Sequence, residues 1–467
     1  MPADQTPENS RGHWGSGLVF IFAAAGSAIG LGNIWRFPIS VADGGGGLFL
    51  LLYIICILAI GLPVMLAEMV IGRAGQKNPV GAMKRLKPGT NWYLFGLLSV
   101  VTGAVITSFY SVVAGWAGIY LFASFAGTFT EPVKEGTAAF FDRTTANVPV
   151  VLLAHFLFIG LTAVIVALGI KRGIEGMIKF AMPLFLLLLL ALMFRSLTLS
   201  GSLDGLQYYL VPRFSDWDSS YFLLALGQAF FSLGLGMGAI ITYGSYLRQK
   251  ENLPNAAVSV VGLDTLIAVL AGLIIFPALF TVMAVAEVEQ LDGGAGLIFV
   301  VLSGIFHELP MSWLFSVLFF ALLLVAALTS SVSLLEAATA YLIDEKGMSR
   351  PQAACAIALG AFLLGIPSLL SQVDTSFFHA SGMFGWGFSF FSLLDNIYVT
   401  IALPVAGLGI SLFVGWGWGI ENALKDLQQG RPSAFPWQRI WCFMIRYVAP
   451  IAILVVLVYN VFEFFNG

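Results

Sequence analysis

Charged side chains make up only 10% of this 467-residue chain, and histidine (4) and cysteine (3) are scarcer still. So little charge cannot solubilise a chain that is 59% hydrophobic with a mean hydropathy of +0.92, which excludes an ordinary soluble globule. A net charge of −3 says nothing about nucleic acid, and no basic patch suggests it. Cys56, Cys355 and Cys442 lie in apolar runs with neither zinc nor haem spacing, and read as packed or lipid-facing thiols. His13, His155, His307 and His379 match no catalytic or metal spacing. The opening MPADQTPENSRGHW has no basic stretch followed by a short apolar one, which argues against a cleaved signal peptide. What is abundant is long apolar runs and 14% aromatics, the composition of a polytopic membrane protein with interfacial anchors.

Runs long enough to span a bilayer recur at 14–40, 48–72, 92–126, 148–169, 174–199, 221–247, 255–287, 311–344, 351–370, 388–417 and 439–463, giving eleven spans. A shorter apolar piece at 295–306 reads as re-entrant. Of the 22 basic residues, only Lys134, Arg143, Arg195 and Arg213 fall in one set of connections. Arg36 and Arg446 lie inside spans, and the rest fall in the other set. That bias places the N-terminus in the cytoplasm and, after eleven spans, the C-terminus outside.

Two spans are interrupted by glycine: the first in GSAIGLGN (26–33), the sixth in FFSLGLGMGA (230–239). If spans 1–5 (14–199) and 6–10 (221–417) are structural repeats, the breaks correspond. An odd number of spans per repeat inverts the second, and span 11 (439–463) stands outside both. Matched breaks in inverted repeats point to a binding site at the midplane. Close helix packing through small residues is the alternative, but it does not call for Asn33, Arg36 and Ser232 in the same stretches.

An unwound backbone in a bilayer needs partners, since each lost hydrogen bond costs several kcal/mol. Freed carbonyls suit a hard cation, and freed amides at a half-helix N-terminus suit a carboxylate. Other spans offer matching groups. Ala326, Thr329 and Ser330 share one helical face with two hydroxyls, which could alternatively bond back along their own helix. Asp264 is an intramembrane carboxylate, a functional candidate by its cost alone. Tyr110 offers a hydroxyl within span 3. No continuous polar lining suggests a channel, and no nucleophile or histidine–carboxylate constellation suggests an enzyme.

GSAIGLGNIWRFP with its following GGGG, LAEMVIGR, GQAFFSLGLGMGAIITYGSY and ALTSS together resemble the neurotransmitter:sodium symporter family over nearly the whole chain. The absence of a twelfth span is similar to many bacterial members. The resemblance implies an all-α integral membrane fold of inverted five-helix repeats, with helices 1 and 6 broken and an eleventh helix added. It implies a sodium-coupled amino acid importer of a bacterial cytoplasmic membrane, with the bilayer, sodium and the amino acid as its partners and no obligate protein partner. A sodium-dependent transporter of another small amino acid or amino acid derivative, or a transporter-like amino acid sensor, is the alternative.

Two sodium sites are implied. The first takes the Ala28 carbonyl, Asn33, Ser232, Asp264 and the substrate carboxylate. The second takes the Gly26, Ile29 and Ala326 carbonyls with Thr329 and Ser330. The carboxylate would also meet the amides near Leu31 and Gly32 and the Tyr110 hydroxyl. The substrate side chain would enter a pocket of Ile106, Phe231, Gly234, Met237, Ser331 and Leu334. Arg36 with Asp395 would form the outer gate, and Arg11 with Asp344, beside Trp14 and Tyr246, the inner one. Glu68 would brace the unwound part of span 1 or span 6.

The chain departs from the family pattern at Gly30, where amine-carrying relatives hold an aspartate, so the carboxylate must come from the ligand. Gly234 and Met237 leave a roomy, deformable pocket suited to large hydrophobic or aromatic amino acids. Tyr53, Gln228 and Ser232 match residues that hold chloride in chloride-dependent relatives. Ala268 replaces the expected serine and Asp264 a common asparagine, which implies chloride independence.

Overall fold

The computed structural model describes residues 12–281, 283, 297–309, 311–379, 388–429 and 435–466. Among them the architecture is all-helical, apart from an isolated antiparallel bridge between Gly46 and Pro212. Among the described residues nine helices are long and apolar enough to cross a membrane, the bent first span makes ten, and the expected sixth span consists of two shorter pieces. Span 1 consists of two halves, Gly17–Ala28 and Gly32–Asp43, bent by 52° at the break. Spans 2 to 5 are Gly47–Gly75, Tyr93–Phe125, Val148–Ala167 and Ile170–Ser196. Span 6 is again two pieces, Ser219–Ser232 and Ala239–Gly244. Spans 7 to 11 are Leu253–Leu279, Ser312–Lys346, Arg350–Leu370, Phe390–Gly417 and Gln438–Phe462.

Local chemistry explains where several of these helices begin. Asn147 and Asn252 accept the amides of Val150 and Asn255, and Pro149 and Pro254 follow within the first helical turn. A side-chain acceptor and a residue with no amide proton together relieve the unpaired donors of a helix start. Apolar side chains then decide which face is covered. On span 4, Leu153, Leu157 and Leu161 repeat every four residues and stay exposed, forming a lipid-facing stripe.

The first half of span 1 packs against spans 5, 7 and 8, while its second half meets spans 6 and 7. Spans 3 and 8 run along each other. The breaks of spans 1 and 6 therefore sit inside the bundle, screened from lipid. The apolar piece near 300 is a short helix, Ile298–Glu308. Its Phe299 packs on Trp116, Tyr120 and Phe320, and its Phe306 on Phe129, Phe315 and Phe319, so it caps the ends of spans 3 and 8.

Candidate binding site at the broken helices

The first helix stops at Ala28 because Ile29 adopts an extended conformation, φ −70° and ψ 104°. The amides freed there are taken by side chains. Gly30 donates to Asn33 Oδ1 at 3.2 Å, and Leu31 donates to the Tyr110 hydroxyl at 3.1 Å. Asn33 in turn donates to Asp264 Oδ1 at 2.8 Å and to Ser232 Oγ at 3.1 Å. Ser232 donates to the other Asp264 oxygen at 2.8 Å and accepts from Tyr53 at 3.0 Å. Asn33, Ser232, Asp264 and Tyr53 are all fully buried. The structure thus joins three spans through the side chains expected at the first sodium site. Gln228 faces the same region and donates to the Gly32 carbonyl at 3.1 Å.

The second cluster is equally convergent. Thr329 Oγ1 lies 2.9 Å from the Ala326 carbonyl and 3.4 Å from that of Ile29, and Ser330 Oγ lies 3.3 Å from the Ile29 carbonyl. Thr329 bonds back along its own helix and also reaches the Ile29 carbonyl of span 1. Gly26 faces Thr329; a Cβ there would lie 3.6 Å from the threonine Cβ and 3.2 Å from Met182 Sδ.

Span 6 is broken over 233–238, where Gly234, Gly236 and Gly238 all have positive φ. At Gly236 the requirement is double, since a Cβ would also meet the Leu403 carbonyl oxygen at 2.6 Å. Glu68 accepts the Gly236 amide at 2.7 Å, so its brace is on span 6. Glu68→Ala would leave that amide unpaired in the bundle and is expected to cost about 1–3 kcal/mol. The check is thermal unfolding in detergent. Glu68→Gln, which retains a carbonyl acceptor, should recover most of the loss, and an unchanged melting temperature for the alanine variant would refute the brace.

A cavity of about 30 Å³ lies between the breaks. Ala28, Gly32, Ile106, Tyr110, Phe231, Gly234, Met237 and Leu334 line it, as expected from the sequence, together with Ser27, Gly30 and Ser330. Leu31 instead faces a vestibule of about 560 Å³ that shares Ile106, Tyr110 and Phe231 with the cavity. Ser331 does not line the cavity: it is buried, and among the described residues its Oγ has no hydrogen-bond partner. Ser331 lies about 100° further round the helix from Ser330, which turns it away from the face that Thr329 and Ser330 present to span 1. Ser27 went unread in the sequence, yet it donates to Ser333 at 2.7 Å and its carbonyl accepts from Ser330. Its signal was its place in the last turn before the break.

Arg36 and Asp395 both line the vestibule, but among the described residues no ion pair joins them. Arg36 lies over Phe231, 4.7 Å from the ring centre. The opposite end is packed shut. Trp14 is buried, donates to the Tyr243 carbonyl at 3.0 Å and meets the rings of Tyr243 and Tyr246 edge-on. Tyr246 donates to Glu336 at 2.6 Å, and Glu336 pairs with Arg350 at 2.7 Å. Asp344 accepts the backbone and side-chain amides of Asn78, each at 2.9 Å. Arg11, its expected partner, lies outside the described residues.

A family profile described as SNF, the sodium:neurotransmitter symporter family, matches residues 11–147 and 146–466. An uncharacterized sodium-dependent transporter, YhdH of Bacillus subtilis, is 35% identical over 95% of this chain and 96% of its own. Glycine transporter 1 of Xenopus laevis, named as sodium- and chloride-dependent, is 26% identical over 99% of this chain and 81% of its own. The crystal structure of MhsT in complex with L-phenylalanine superposes with a TM-score of 0.87 at 43% identity. That match covers 97% of this chain and 100% of MhsT.

Proposed function

This chain belongs to the sodium:neurotransmitter symporter family, and from that premise we propose that it imports hydrophobic or aromatic L-amino acids with sodium and without chloride. It is a multi-pass, sodium-dependent membrane symporter and not an enzyme. One observation carries the substrate reading: the cavity is lined by the Tyr110 and Ser330 hydroxyls, which can meet a carboxylate, and by no acid. Tyr110 accepts the Leu31 amide and keeps its own O–H proton as a donor. The remaining lining is apolar, and Met237 and Leu334 can repack around a large side chain. The likeness to MhsT, solved with L-phenylalanine, supports the same class.

Two sodium ions travel with the substrate in this reading. The first is held by the Ala28 carbonyl, Asn33, Ser232, Asp264 and the amino acid's carboxylate. The second is held by the carbonyls of Gly26, Ile29 and Ala326 with the Thr329 and Ser330 hydroxyls. Hard cations favour such oxygen ligands, and each site draws them from different spans, so filling it ties spans together. Inward movement of each charge yields about 2.3 kcal/mol per 100 mV. The N-terminus lies in the cytoplasm of a bacterial cell and the Asp395 side faces out, so the vestibule is the entrance. Residues 14–199 and 221–417 form the two inverted repeats of one domain over 1–467, with 439–463 added.

The test is uptake of labelled phenylalanine, leucine and tryptophan into proteoliposomes, with sodium or choline outside and unlabelled amino acids as competitors. Sodium-dependent uptake of these three is expected. Uptake that ignores sodium, or competition confined to glycine or monoamines, would overturn the assignment. Asn33→Ala is expected to raise the sodium concentration for half-maximal phenylalanine binding by on the order of tenfold or more. An unchanged sodium requirement would remove Asn33 from the site.

A further inference from the structure

We infer that Arg446 and Arg439 hold the headgroup phosphate of an anionic phospholipid on the outer face of spans 10 and 11. Arg446 lies within span 11 and takes no part in the binding site described above. Its guanidinium lies over Trp416 of span 10, 4.2 Å from the ring centre, and 5.9 Å from the ring of Tyr447. The Trp416 indole donates to the Arg446 carbonyl at 3.2 Å, which fixes the ring beside the cation. Trp416, Tyr447 and Phe443 are 53%, 44% and 56% exposed, so this cluster faces the bilayer.

The arginine is short of partners. Its Nε is buried without a hydrogen bond, and among the described residues no carboxylate pairs with it. Asp426, on the neighbouring helix Ile420–Gln428, is committed to Arg73 at 2.7 Å, and Glu421 is exposed. An aromatic face offers attraction but accepts no N–H in the manner of an oxygen. A guanidinium at a lipid-facing surface therefore calls for an oxygen anion from outside the chain.

Depth selects the source of that anion. Arg446 is eight residues past Gln438, roughly 12 Å along the helix. Span 11 has 25 residues, roughly 37 Å, against a hydrocarbon core of about 30 Å. The side chain can therefore reach back to the headgroup layer by extending along its stem. Arg439 is seven residues earlier, about two turns, so it lies on the same face nearer the water, and it is exposed. Two cations on one face, neither with a carboxylate partner among the described residues, complement a net-negative headgroup rather than a zwitterionic one.

The experiment reconstitutes the full chain in nanodiscs of equimolar phosphatidylglycerol and phosphatidylcholine. Lipid retained through stepwise delipidation is then counted by native mass spectrometry. The wild type should retain phosphatidylglycerol after phosphatidylcholine is lost. Arg446→Gln should reduce that retention about fivefold, as should Arg439→Gln, each corresponding to about 1 kcal/mol. Arg446→Lys should keep part of it. The exposed Arg439 variant keeps the proposal testable if Arg446→Gln does not fold. Equal retention of the two lipids, or retention indifferent to both arginines, would overturn the proposal. So would displacement of the lipid by inorganic phosphate, which would mark a site for a free anion.

Discussion

Gly30→Asp is expected to abolish amino acid uptake. Gly30 lines the cavity, and a Cβ built there would run into Ser330 Oγ and sit 2.9 Å from the Tyr110 hydroxyl. Any side chain therefore displaces a group assigned to the second sodium ion and one assigned to the carboxylate. Aspartate adds a charge to that steric conflict. Two carboxylates about 4 Å apart repel by about 4 kcal/mol at an effective dielectric of 20, roughly a thousandfold in affinity. Gly30→Ala separates the two contributions, since it carries only the steric one. If the charge matters, the aspartate variant should lose far more phenylalanine binding than the alanine variant. It should also shift its relative preference toward phenethylamine, which has no carboxylate of its own. Leucine or tryptophan binding at wild-type affinity in Gly30→Asp would mean the carboxylate lies elsewhere.

The second large effect concerns charge beside the first sodium site. Asp264 is fully buried and takes hydrogen bonds from Asn33 and Ser232, while Tyr53 donates to that same serine. Ala268, one turn on, is also fully buried and offers no hydroxyl. In the proposed reading Asp264 supplies the site's negative charge, and wild-type uptake should be the same in chloride as in gluconate. The combination of Asp264→Asn and Ala268→Ser removes that charge and adds a hydroxyl. Asp264→Asn leaves the substrate carboxylate as the one negative charge assigned to that sodium ion, and burying charge with less compensation is costly. Uptake by the double variant should therefore fall about tenfold or more in gluconate, a difference of about 1.4 kcal/mol. Collapse of wild-type uptake in gluconate would show that Asp264 is not the resident anion.

The parts legible in the sequence were those that violate the rules for a helix in lipid. GSAIGLGN and LGLGMG announced the breaks because glycine runs and an asparagine are costly in an unbroken span. Asp264 announced itself by its charge, and Thr329 and Ser330 by a spacing that puts both on the face meeting span 1. What stayed hidden depends on choices between distant partners. Arg36 lies over the ring of Phe231 in the vestibule it shares with Asp395, a contact that no local pattern announces. Asp344 accepts from Asn78, 266 residues away in sequence. Ser27 looks like any helical serine that bonds back to its own backbone. Phe388 and Phe391, which line the vestibule, stand at the start of an apolar run and show nothing there to set them apart.

The ring of Asn33, Ser232, Asp264 and Tyr53 also bears on the half of the cycle in which nothing is carried. Each of these groups already has a partner inside the protein, so losing sodium does not strand a donor or acceptor in the bundle. An arriving ion replaces existing bonds instead of rescuing orphaned ones, which moderates its net affinity. The unloaded carrier then resets with these hydrogen bonds in place, which offset part of the cost of leaving the buried Asp264 carboxylate without its cation. In the proposed reading a moderate ion affinity favours release into the cytoplasm, and release commonly limits the turnover of proteins that close around their cargo.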